Sequence, residues 1–299
     1  LASELEHGRT LSQGMGKFPD VFKETELGVV RSGEAVGHLE QILFKLADNL
    51  WKQSNIIMNL KSALVYPLAV VAALLIGALV MTIFVIPKMR TVFAESSLSL
   101  PPTTRILLAA GEFIGNAWWF IAIILIFAAI VFHLYVNSTE GRFSWDFHKL
   151  RIPFIGSILR KIYVMRFVDT LGLLVESGLP INQSLEFTAN SIGNEVYRVK
   201  TYEALGRIQE GQKLSASLAD APFLFPETVT NMLAVAEQSA SLGDLSNQIG
   251  VHYQREIDYT LKNATTVLGP ILILVIGVTV AFFALAILSP IFSLTQSVQ

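Results

Sequence analysis

Apolar residues crowd into three stretches of this chain. Leu64 to Pro87 (LVYPLAVVAALLIGALVMTIFVIP) and Val267 to Ser289 (VLGPILILVIGVTVAFFALAILS) carry no charge, and Trp118 to Val136 has one titratable group, His133. Each runs 19 to 24 residues, and at roughly 1.5 Å per residue such a helix crosses a hydrocarbon core about 30 Å thick. A buried core helix averages only about 11–12 residues, so all three read as membrane spans. Elsewhere the apolar positions keep a helical period. Val164, Phe167, Val168, Leu171, Leu174 and Val175 fall at i, i+3, i+4, i+7. Gly178 then fits the residue just past a helix end, and Pro180 the first turn of the next helix. Segments around 181–192, 194–209, 214–220 and 226–239 follow, set apart by Gly, Asn, Ser and Pro. No strand-like alternation competes, so the expected fold is all-α: an integral membrane protein with three transmembrane helices and helical bundles.

Lys and Arg in the short flanks orient the spans. Lys45, Lys52 and Lys61 precede the first, and Arg142, Lys149, Arg151, Arg160, Lys161 and Arg166 follow the second. The stretch between those spans has only Lys88, Arg90 and Arg105, and the tail past Pro290 has none. The positive-inside rule therefore places the N-terminus in the cytoplasm and the C-terminus outside. Trp118 and Trp119 open the second span at the far interface, where an aromatic belt puts them. The expected organisation is a first cytoplasmic domain over 1–63 and a transmembrane helix over 64–87. A periplasmic linker over 88–116 follows, in which Pro101, Pro102 and Thr103 introduce a short amphipathic helix. A second transmembrane helix over 117–136, a cytoplasmic helical bundle over 137–265, a third transmembrane helix over 266–289 and a periplasmic tail over 290–299 complete the chain.

Composition agrees with a membrane protein. Of the 299 residues 52% are hydrophobic and 15% charged, where a soluble domain carries roughly 25% charged residues. The excess is local, since residues 137–265 hold 14 acidic and 12 basic side chains and resemble a soluble domain. A net charge of −2 argues against nucleic acid as a partner. The absence of cysteine removes disulfides, thiolate nucleophiles and Cys-based metal sites.

Sliding the sequence along itself by 203 residues uncovers an internal repeat. Gly8, Leu11 and Ser12 meet Gly211, Leu214 and Ser215, and Phe22-Lys23-Glu24-Thr25 meets Phe225-Pro226-Glu227-Thr228. Glu34 and Leu39 meet Glu237 and Leu242, and Leu39, Ile42, Leu46 and Leu50 meet Leu242, Leu245, Ile249 and Tyr253. Pro67 and Pro87 meet Pro270 and Pro290, framing the first and last spans alike. Both copies run in the same direction, unlike the inverted repeats of many transporters. The counterparts of Arg160 to Lys200 would precede residue 1, so the first copy is expected to lack about 45 residues and to expose an apolar face.

No catalytic constellation is legible. His7, His38, His133, His148 and His252 form no HExxH and no i, i+4 pair, and there is no GxSxG. Gly14-Met15-Gly16-Lys17 fails as a phosphate loop, because Leu11 and Phe18 stand where Gly and Ser/Thr are required. No catalytic, metal or cofactor site is therefore expected. The three spans contain no Asp, Glu, Lys or Arg, and His133 is their one titratable group in this reading, which weakens the alternative of a polytopic carrier or channel. Glu34 and Glu237 are the sharpest polar coincidence. A carboxylate among small residues can approach the N-terminus of a following helix, a structural role, or can meet a partner protein or cation. Arg160, Lys161 and Arg166 are candidate contacts for a partner or for lipid headgroups, alongside a reading as a solvated basic flank.

Several of these motifs resemble one family. Gly33-Glu34-Ala35-Val36-Gly37-His38-Leu39 is similar to the Gly-Glu-x-x-Gly-x-Leu signature of the secretion protein F and type IV pilus PilC proteins. The run from Arg166 and Phe167 through Gly178 and Pro180 to Leu185 resembles the opening motif of their repeated domain. Pro101 to Arg105 and Ile152 to Gly156 resemble the segments after the first span and before the second domain. In the second copy Ala236 and Ala240 replace the two glycines of the signature, while Glu237 remains. The resemblance implies a non-enzymatic platform in the bacterial inner membrane, with six-helix cytoplasmic domains and a tendency to homo-oligomerise. It further implies partners: a cytoplasmic secretion or pilus ATPase, pilin-like subunits, other inner-membrane assembly proteins and membrane lipid. Small residues in the spans, among them Ala69, Ala73, Gly77, Gly277 and Ala281, suit close helix packing.

Overall fold

Helix starts and stops follow the punctuation of the chain. A computed structural model describes residues 2–81, 84 and 102–297, and the described residues form helices without a strand. In order these are α1 (Ala2–Glu6), α2 (Leu11–Met15), α3 (Glu24–Val36), α4 (Leu39–Val80), α5 (Pro102–Asn137) and α6 (Thr139–Arg151). Then come α7 (Ile155–Glu176), α8 (Ile181–Ser191), α9 (Glu195–Gln209), α10 (Leu214–Ala219), α11 (Glu227–Gln238) and α12 (Leu242–Ser297). The α7–α8 corner shows how local the instructions are. Gly178 takes φ 87, the left-handed value a side chain resists. Its N–H donates to Val175 O at 3.0 Å, and Leu179 N–H donates to Leu174 O at 3.1 Å. These paired bonds satisfy carbonyls that the end of α7 would otherwise leave open. Pro180 stands at the N-cap of α8, one residue before the first turn predicted for it. At the start of α9 the Asn194 side chain accepts from Val196 N and Tyr197 N, and Asp146 on α6 accepts from Glu195 N at 2.7 Å.

The chain divides into two compact units, Leu1–Asn59 with Val136–Leu261 and Leu60–Tyr135 with Lys262–Gln299. Residues 1–59 of the first predicted cytoplasmic domain share the first unit with residues 136–261 around the second. Packing of α3 joins them. Met15, Leu27, Val29, Val30, Ile42 and Leu46 share one buried cluster with Leu173 and Leu174 of α7, and Leu179 and Phe187 lie against it. Gly28 sits under the Phe187 ring, where an added Cβ would come within 3.0–3.3 Å of three ring carbons. Ser32 Oγ donates to the Ser177 carbonyl, and Thr25 Oγ1 to the Phe187 carbonyl at 3.5 Å. The apolar face expected to be exposed on the N-terminal copy is thus covered by α7 and α8. Tyr197, Phe167 and Phe225 form the aromatic centre of the remaining bundle, with ring centroids 5.0–5.4 Å apart. Tyr197 is fully buried, which raises its pKa, and its hydroxyl donates to Leu224 O at 2.9 Å.

The second unit holds the apolar segments. Among the described residues two helices are long and apolar enough to cross a membrane, Leu39–Val80 and Leu242–Ala286 within α12. Both helices begin upstream of the predicted spans at 64 and 266, because nothing between the bundle and the apolar run breaks the helix. Pro67 and Pro270 lie inside α4 and α12, and α12 continues through Pro290 to Ser297 across much of the predicted 290–299 tail. The predicted linker helix and second span are likewise one helix, α5. Gly111 and Gly115 weaken such a helix by about 1 kcal/mol each without ending it. Pro87 and the 88–101 part of the linker lie outside the described residues.

Candidate functional site

The two signature glutamates make the same set of contacts. Glu34 on α3 accepts from Leu11 N, from Ser12 N at 3.3 Å and from Ser12 Oγ at 2.6 Å. Glu237 on α11 accepts from Leu214 N at 2.5 Å, Ser215 N at 3.2 Å and Ser215 Oγ at 2.5 Å. Shifted by 203, every donor and acceptor of the first set falls on its counterpart in the second. Each carboxylate satisfies the open N–H groups at the first turn of a short helix, α2 or α10, where the backbone dipole also favours negative charge. The helix served is the preceding one, 22–23 residues back in the chain, and not the following one considered from sequence.

The rest of the signature shapes the corner after that glutamate. Gly33 faces Ile42, where a Cβ would lie 3.0–3.2 Å from three of its atoms. Gly37 takes φ 80, and both its N–H and that of His38 donate to Gly33 O, at 3.0 and 3.1 Å. Leu39 then packs on the core. In the second copy Ala240 takes φ 53 and Ser241 N–H donates to Ala236 O at 3.0 Å. The same left-handed corner is therefore made with a residue whose Cβ opposes it, at a cost of about 1–2 kcal/mol. Leu242 opens α12 as Leu39 opens α4.

The basic candidates separate. Arg166 on α7 turns inward, donating through Nη1 to Ile192 O at 3.3 Å at the end of α8, and burial holds its pKa below the ordinary arginine value. It serves as a helix-end cap, with its guanidinium partly buried. Lys161 pairs with Glu256 at 2.9 Å and donates to Thr260 Oγ1 at 3.1 Å. Arg160 lies over the Phe223 ring, 4.5 Å from its centroid. Phe167 and Leu185 of the opening motif are fully buried core residues.

Sequence reasoning missed a polar junction where α4, α7 and α12 meet. Along the α7–α12 contact, large and small residues alternate. A Cβ on Gly243 would strike the Glu176 side chain, one on Gly172 would meet Ser246 Cβ at 2.8 Å, and one on Gly250 would strike the Asp169 carboxylate. Lys45, Asp48 and Lys52 on α4 close this contact into a cavity of about 70 Å³ with Asp169, Glu176 and Asn247. Lys45 pairs with Glu176, and Lys52 with Asp48 at 2.7 Å. Asp169 is 8% exposed. Burial pushes its carboxyl up to about 7, with Lys52 pulling down and Asp48 pushing up. The fully buried Ser246 hydroxyl has no hydrogen-bond partner among the described residues. The signal that could have revealed the junction is Asp169 itself, an acid in the otherwise apolar run Phe167 to Val175, together with Gly243 and Gly250 one heptad apart. Among the described residues no group of three His, Asp or Glu side chains converges as a metal site.

Comparison with known proteins supplies the wider context. A family model described as type II secretion system protein F matches residues 1–87 and 167–290. The type IV pilus assembly protein PilC of Thermus thermophilus is 30% identical over 299 residues, covering 99% of this chain and 73% of that protein. The PilC protein of Myxococcus xanthus is 29% identical over 299 residues, covering 100% of this chain and 72% of that protein. The type II secretion system protein F of Aeromonas hydrophila is 29% identical over 298 residues, covering 99% and 76%.

Proposed function

Because the chain belongs to the type II secretion system protein F family, we propose that it is a non-enzymatic platform of the bacterial inner membrane. In this role it couples a cytoplasmic assembly ATPase to the insertion of pilin-like subunits into a filament. The observation that carries the reading is mechanical. α4 and α12 each run without a break from buried bundle positions, Ile42 and Leu46 or Ile249 and Ile257, into an apolar segment fit to cross a membrane. An unbroken helix transmits axial displacement and rotation, whereas a flexible linker would dissipate them.

In this account α5 is the second of three spans, the N-terminus is cytoplasmic and the C-terminus periplasmic. The 203-residue register of helix starts and of the two glutamate caps supports a duplicated domain, each copy joined to its own membrane helix. The capped corners hold α2 to α3 and α10 to α11, so that a force on the bundle reaches the stems without rearranging it. The corner glutamates are structural and do not bind partner or cation. Energy arrives as motion from a partner and leaves as movement of a subunit, with homo-oligomers and other assembly proteins completing the platform.

Breaking a stem tests this directly. Asn263→Pro, at an exposed position of α12, adds a second proline seven residues before Pro270, in the stem that leads to the apolar run, and costs about a further 3 kcal/mol in helix continuity there. It should abolish filament assembly or secretion while the protein still accumulates in the membrane and still captures the ATPase. Asn263→Ala should be silent. Full assembly by the proline variant would contradict mechanical coupling through this helix.

A further inference from the structure

Within the first unit a groove of about 400 Å³ lies between α7, the loop joining α10 to α11, and α12. Arg160, Lys161, Pro222, Phe223, Tyr253 and Glu256 are among its walls. Its two cations differ in kind. Lys161 is neutralised in place by Glu256 at 2.9 Å. Arg160 has no carboxylate partner among the described residues, and its guanidinium rests 4.5 Å from the Phe223 ring centroid. Phe223 is 38% exposed and stands 6.3 Å from Phe147 on α6, over whose ring Arg151 lies at 4.3 Å. Arg151 likewise lacks a carboxylate partner among the described residues. Two arginines thus flank a pair of phenylalanines in a row from α6 across the loop to α7.

A guanidinium held over a ring can keep N–H donors free while its position is fixed. Less entropy is then lost when a carboxylate takes two of those donors. Beside the guanidinium the groove offers apolar ground in Pro222, Pro226 and the open part of Phe223. A lipid surface suits this arrangement poorly, because headgroup recognition uses clusters of about 4–8 basic residues, and a flat bilayer cannot enter a concavity. The first copy has no equivalent, since Phe223 and Glu256 shift onto Asp20 and Gln53.

We propose that this groove docks an acidic, partly apolar segment of a partner protein. A Glu or Asp carboxylate sits on Arg160, a second carboxylate faces Arg151, and an apolar side chain packs on Phe223 and the prolines. The proposal rests on the platform reading only for the existence of such a partner. The test uses the full chain in zwitterionic nanodiscs and a short fluorescent peptide of Glu, Leu and Phe, with the same peptide carrying Gln for Glu as control. Binding should saturate, weaken with added salt and be absent for the Gln peptide. Arg160→Gln and Phe223→Ser should each weaken it about tenfold, the loss of a charge-assisted bidentate pair or of its support. Arg160→Lys keeps the charge without the fork and should bind more weakly than wild type, whereas the double variant Lys161→Gln/Glu256→Gln, which removes the internal ion pair as a unit, should change little. Equal binding of the Gln peptide, indifference to Arg160→Gln in a protein of unchanged melting temperature, or capture of anionic vesicles in place of the peptide would each overturn the proposal. Filament assembly that survives Arg160→Gln would overturn the groove alone. Failure of the Asn263→Pro expectation with peptide binding intact would overturn the platform reading alone.

Discussion

Replacing Asp169 by asparagine should stabilise the protein, and by more at alkaline than at acid pH. The Asp169 carboxyl is buried at the α4–α7–α12 junction and holds its proton up to about pH 7, against an ordinary value of 3.8. Over that window the folded state binds more protons than the unfolded chain, so stability falls as pH rises through it. A difference of this size corresponds to a penalty of roughly 4 kcal/mol once both states are ionised, of which about 2.5 kcal/mol develops between pH 5 and 8. Asparagine matches the shape of the neutral acid and has no charge to bury. For a unit of this size about 2.5 kcal/mol moves the melting temperature by roughly 5–10 °C. The assay is thermal unfolding of wild type and Asp169→Asn in one detergent at both pH values, followed by tryptophan fluorescence. The lead of the variant over wild type should widen by that amount from pH 5 to pH 8. A lead that is constant, or that narrows, would refute the claim that Asp169 folds as a neutral acid. Carboxylates held low by ion pairs, such as Asp220 beside Lys200 and Arg207, act in the opposite direction at lower pH and cancel in the comparison.

Ala240→Gly should raise stability by about 0.5–1 kcal/mol, because φ 53 opposes a Cβ and glycine gives back part of the gain as unfolded-state entropy. Gly37→Ala in the first copy should lose about 1 kcal/mol by the same reasoning, and urea titration of both variants reads the pair. Glu237→Ala should expose the start of α10 at a cost of about 1–2 kcal/mol. Its first sign should be faster hydrogen exchange at Leu214 and Ser215, with Glu237→Gln falling between; unchanged exchange would remove the capping role. Reporter fusions should place residues 102–116 outside the cytoplasm and 139–261 inside, and the reverse placement would overturn the topology.

Much of the helical framework was legible because its signals are local. Gly178, Asn194, Gly211 and Pro226 each act on their own few residues, and the helices they delimit, Ile181–Ser191, Glu195–Gln209, Leu214–Ala219 and Glu227–Gln238, match the segments read from them. What covers an apolar face is a different kind of information. Periodicity shows that α3 has such a face, but not that Phe187 and Leu174, about 150 residues later, will bury it. The same limit applied to Glu34. Small neighbours suggested a helix terminus, and only the fold shows that the terminus belongs to the helix before it. Arg166 read as one of a basic trio because sequence shows its charge and not its direction, and the fold turns its guanidinium onto Ile192 O. Sequence shows Asp169 within the apolar face of α7, but not that Gly250 and Lys52 lie beside it.

The central claim is that this protein moves subunits with energy supplied by another. The most direct measurement is a deletion strain complemented with the intact gene, scored for filament assembly or secretion and, in parallel, for nucleotide hydrolysis by the assembly ATPase in its extracts. Deletion should abolish assembly while basal hydrolysis persists, and complementation should restore assembly. Assembly that continues without the protein, or hydrolysis that purifies with this chain, would contradict it.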